Sequence, residues 1–143
     1  MAPSPGTACP RLRTRATYVA SALAAVAVGL SVHWYGGAFS PAVRDVLGDA
    51  LWAAMMLWWV SVLAPNAPLP VRAGVALGAC FAVEWSQLYH SPGLDALRRT
   101  TAGGLVLGSD FDPRDLVAYT AGVLVASAID RALGYAGSRR APV

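Results

Sequence analysis

Four apolar stretches, at residues 16–34, 46–63, 71–89 and 116–133, constrain this chain more than any other feature. Each is close to the roughly 17–25 residues that an α-helix needs to cross a bilayer. The composition agrees: 56% of the residues are hydrophobic and 13% charged, a balance unlike that of a water-soluble domain. The expected fold is therefore all-α, a polytopic membrane protein with four transmembrane helices. Arg11, Arg13 and Arg15, with Ala25-Val26-Ala27 after them, have the outline of a signal peptide. The apolar run continues past that point to Trp34-Tyr35 and three more follow, so it reads as a span.

Local signals set the ends. Ser40-Pro41 and Asp112-Pro113 each place a capping side chain before a proline at the first helical position. Ala64-Pro65 stops the second helix, and Pro65, Pro68 and Pro70 stiffen the link to the third. Ser91-Pro92 opens a short helix at 94–99, and Gly103-Gly104 reads as its end. Residues 103–108 are apolar but too short to cross, which suggests a short helical or re-entrant segment between the third and fourth spans. The expected organisation is a disordered tail (1–15), a four-helix transmembrane domain (16–134) and a flexible tail (135–143).

The net charge of +3 rests on arginine alone, as the chain has no lysine. That bias, with abundant Ala and Val, suggests a bacterial gene of high GC content. No basic stripe with interleaved aromatics points to nucleic acid. With the N-terminus inside, seven arginines fall on the inner side and four on the outer. The positive-inside rule then places both termini in the cytoplasm, the protein being expected in the bacterial cytoplasmic membrane. Trp34, Tyr35, Trp85 and Tyr89 mark the outer interface, and Trp58 and Trp59 approach the inner one.

Glu84 sits inside the third apolar run, where a carboxylate is costly unless paired, protonated or facing a polar cavity. Cys80, Glu84, Gln87 and Ser91 share one helix face by their spacing, as do Asp45, Asp49, Trp52 and Met56 on the second helix. Asp115, Tyr119 and Gly122 do the same on the fourth. Asp49 lies roughly 13 Å along its helix from Ser40, so three helices bring an acid to similar depth in the outer half. The inner half, dominated by Ala, Val, Leu and Trp, reads as dry. Arg98, with His90 and Asp95 in the same outer loop, is long enough to reach Glu84 or Asp95. The candidate ligand-binding set is Asp49, Glu84, Gln87, His90, Asp95, Arg98, Asp115 and Tyr119. Plain structural roles compete: Asp112 and Asp115 suit a helix cap, and Glu84 with Gln87 suits interhelical hydrogen bonding. Glu84, His90, Asp95, Asp110 and Asp112 lie near one another but form no metal-binding pattern, and no cofactor or metal is expected. Cys9 and Cys80 form no disulfide pattern.

Gly48-Asp49-Ala50-Leu51-Trp52-Ala53, Glu84-Trp85-Ser86-Gln87, Leu94-Asp95-Ala96-Leu97-Arg98, Gly103-Gly104, and Asp115 with Tyr119 and Gly122 occur in one order. In this the chain resembles the bacterial membrane proteins of domain-of-unknown-function family 2809 across residues 16–134. It more distantly resembles VanZ-like membrane proteins, associated with resistance to teicoplanin-type glycopeptides. There Glu84, Gln87, Arg98, Asp115 and Gly122 match, while Tyr119 stands in place of an asparagine. The resemblances imply a shared fold rather than an activity. Three functions remain open. The first is a non-catalytic module whose outward polar pocket binds an envelope lipid head group or a lipid-linked cell-wall precursor. There Arg98 supplies a donor fork to phosphate or carboxylate. The second is a membrane-embedded enzyme acting on a lipid-linked substrate. The third is a structural subunit of a membrane complex. Membrane lipids, and a second copy of the chain, are the expected partners.

Overall fold

In the computed structural model, which describes residues 10–108 and 110–138, the chain is all-helical, with no strand among those residues. Four long helices, α1 (Pro10–Tyr35), α2 (Pro41–Leu63), α3 (Leu69–Ser86) and α6 (Pro113–Ser138), alternate in direction. Two short ones, α4 (Pro92–Arg98) and α5 (Thr101–Leu107), connect α3 to α6, and one 3-10 turn (Gly36–Ala38) joins α1 to α2. α1 and α2 are long and apolar enough to cross a membrane.

The capping signals act as expected. The Ser40 hydroxyl accepts from the Val43 N–H and Ser91 from the Leu94 N–H, with Pro41 and Pro92 following them. Asp112 accepts from the Arg114 N–H with Pro113 between them. α1 is already helical from Pro10 and α6 to Ser138, so residues 10–15 and 135–138 of the two expected tails are helix. Helical hydrogen bonding does not stop where the apolar run stops. The remainder of those tails, Cys9 included, lies outside the described residues.

α2 is the hub: α1, α3 and α6 all pack on it, and α3 and α6 pack on each other. The interior is built mostly from small side chains, with Ala22 and Ala25 from α1, Ala53 and Ala54 from α2, Ala76 and Cys80 from α3, and Ala118 and Ala126 from α6. Small residues let backbones approach closely. α6 comes close to α2 where Gly122 meets Ala50, since a Cβ at Gly122 would run into the Ala50 carbonyl oxygen. Bulky apolar side chains point the other way: Leu63 is 80% exposed, Val117 69% and Leu124 65%. Trp58, expected to approach the inner interface, is buried in a cluster drawn from all four long helices.

Gly103 and Gly104 lie within α5 and do not end the preceding helix. A Cβ on Gly103 would collide with the Leu97 carbonyl oxygen, so glycine is required for α5 to fold back on α4. Thr100 starts α5 by accepting from the Gly103 N–H.

Candidate functional site

Glu84 comes from the last turn of α3 and is completely buried. Its Oε1 accepts from the Asp112 backbone N–H at 2.8 Å. Its Oε2 accepts from the Tyr119 hydroxyl at 3.2 Å and from Gln87 Nε2 at 3.1 Å. The carboxylate thus ties α3 to the start of α6. The Asp112 N–H is one of the orphan donors at the head of α6, and Glu84 satisfies it. Three donors offset much of the cost of burying the charge.

Beside it stand Asp49 of α2 and Asp115 of α6, close enough to each other and to Glu84 for their charges to interact. Both aspartates are half-buried, and Asp45 stands exposed above them. Among the described residues, no arginine or histidine forms an ion pair with Asp49, Glu84 or Asp115. No group of three His, Cys, Asp or Glu side chains is arranged to hold a metal ion, again among the described residues. Gln87 is held against Glu84 by a tight neighbour: Gly108, at φ +64°, has no room for a Cβ because of the Gln87 amide.

Of the eight candidates, five meet: Asp49, Glu84, Gln87, Asp115 and Tyr119. The other three form a separate cluster at the end of α3. Arg98 is buried and donates to the Tyr89 carbonyl at 2.9 Å and the Ser86 carbonyl at 2.6 Å. Its remaining acceptor is Asp95, at 3.4 Å. Asp95 also meets the exposed His90 ring at 3.3 Å. Arg98 therefore caps the α3 C-terminus, where orphan carbonyls and the negative end of the helix dipole favour a cation. Its two terminal nitrogens are engaged by those carbonyls and by Asp95, while its Nε is buried without a partner among the described residues.

The expectation of a dry inner half is overturned by a second polar cluster at the opposite end of the bundle. Arg72, in the first turn of α3, is only 6% exposed. Its Nε donates to the Ala67 carbonyl at 3.0 Å, one amino group to Ser61 Oγ at 2.6 Å, and the other to Asp130 at 3.0 Å. The guanidinium also sits 5.3 Å from the centre of the Tyr18 ring. Tyr18, Ser61, Arg72 and Asp130 come from α1, α2, α3 and α6 in turn. Arg72 counts among the seven inner-side arginines by the positive-inside rule, and Asp130 has no role there. A clue was present, since Asp130 and Ser61 each lie inside one of the four apolar stretches.

No solved structure matches the chain. Residues 39–123, more than half of its 143 residues, match the family described as "Protein of unknown function (DUF2809)". That span contains all five residues that meet around Glu84, and the chain belongs to this family.

Proposed function

We propose that this protein is a four-span integral membrane protein whose acidic end binds the polar head of an envelope lipid or lipid-linked cell-wall precursor, without catalysis. The reading rests on Asp49, Asp115 and Glu84, from three helices, lying close enough for their charges to interact, with no basic side chain paired to them among the described residues. Glu84 is saturated by internal donors and buried, so it positions the site. Asp49 and Asp115 are reachable and would make the contact. Carboxylates select hydrogen-bond donors, so the head group would present hydroxyl or ammonium groups.

Two further observations support the membrane setting. Small side chains face inward and large apolar ones outward, the arrangement expected when lipid is the solvent. Trp34, Tyr35, Trp85 and Tyr89 are exposed at the same end as Glu84, as an interfacial belt would require. With both termini cytoplasmic, as the arginine bias favours, this end faces outward.

The test is native mass spectrometry of protein released gently from membranes, comparing wild type with Asp49→Asn and Asp115→Asn. A discrete added mass in wild type, lost in both variants, is the expected result. Bare protein in all three would favour a structural subunit, a reading supported by the three internal hydrogen bonds of Glu84.

A further inference from the structure

The Arg72–Asp130 cluster lies outside the acidic end and has a different logic. Arginine stands at the N-terminal end of α3, where the helix dipole disfavours a cation. Asp130 stands in α6 between Ile129 and Arg131, turned toward the bundle interior. Near a helix end an arginine or aspartate would ordinarily reach toward water, but these two are turned inward and buried. Here they are 58 positions apart in sequence and meet at 3.0 Å. Their side chains are only 7% and 12% exposed. Every nitrogen of the guanidinium has an acceptor, so the cluster is filled from within and leaves no place for a ligand. What it can do is cancel one buried charge against another across two helices.

We infer that Arg72 and Asp130 are a matched pair that carries α3 and α6 into the membrane together, neither helix integrating stably without the charge on the other. The inference rests on the four-span reading above. Removing one partner leaves a lone buried charge, which is far more damaging than replacing both by apolar residues of similar volume. Tyr18 and Ser61 touch the guanidinium but contribute no charge, so their role is packing and hydrogen bonding. The pairing also sets how far α6 slides along α3, and so aligns the Asp112 N–H with Glu84 at the other end.

The experiment uses the full chain with a C-terminal reporter whose activity depends on the side of the membrane, combined with alkaline extraction of membranes. Arg72→Met and Asp130→Leu are compared singly and together, with Tyr18→Phe and Ser61→Ala as uncharged controls. Each single charge variant should reduce the fraction with wild-type sidedness by about tenfold. The double variant should regain most of that fraction, and the controls should match wild type. Single variants that insert like wild type, or a double variant no better than the singles, would overturn the pairing while leaving the four-span reading intact. Wild-type chain extracted into the soluble fraction would overturn both.

Discussion

Glu84 is the chain's only glutamate, and its two oxygens serve three donors, one at the end of its own helix and two at the head of α6. That makes its chemistry hard to imitate. Glutamine at this position has one oxygen and one amino group: in one orientation its NH2 faces the fixed Asp112 N–H, and in the other Tyr119 and Gln87 must both turn round to accept from it. Glu84→Gln should therefore cost about 1–3 kcal/mol, read as a lowered Tm in detergent. Tyr119→Phe removes one donor and leaves two, and should cost less, about 0.5–1.5 kcal/mol. A Tyr119→Phe variant less stable than Glu84→Gln would contradict this account of the carboxylate. The face that holds Glu84 was legible in advance, because Cys80, Glu84 and Gln87 recur at helical spacing and all three are buried. The fate of Arg98 was not, because it depends on the path by which α4 turns back under the last carbonyls of α3. Reach alone allowed Glu84 or Asp95, and geometry chose Asp95 and the backbone.

At the scale of elements, glycines separate into those that are needed and those that are not. Gly122 lies where α6 meets the Ala50 backbone of α2. Gly122→Leu should push the two helices apart and cost about 1–3 kcal/mol or more through overpacking. Gly74, on the outward face of α3, has no atom within 4 Å of where a Cβ would stand. Gly74→Ala should instead be neutral or raise stability by up to about 1 kcal/mol through helix propensity. Parallel thermal melts of the two variants check the contrast. Helix ends were readable because capping is local: Ser40, Ser91 and Asp112 each act within three residues. The need for glycine at Gly103 and Gly122 was hidden, because it arises from a backbone belonging to another element. The bond from Arg72 to Asp130 was hidden for the same reason, with 58 positions between the two residues.

Across the whole molecule, polar chemistry is divided between two ends, with a core of alanines, Leu57, Trp58, Cys80 and Val123 between them. The family match at 39–123 covers the acidic end completely but reaches neither Tyr18 nor Asp130, so half of the Arg72 cluster is supplied from outside the matched span. α1 packs against α2 and leaves much of its apolar surface uncovered, with Leu23 56% and Val28 50% exposed. Cys80 lies between these ends, beneath the Glu84–Tyr119 bond, and is 1% exposed against Ala53, Tyr119 and Val123. The thiol is therefore a clock built into the bundle. In a Cys9→Ser background, alkylation of Cys80 should proceed only as fast as α3 parts from α2 and α6. Its rate should rise when Glu84 is replaced by glutamine and stay unchanged when Gly74 becomes alanine, so a single reagent would time the breathing of the native state.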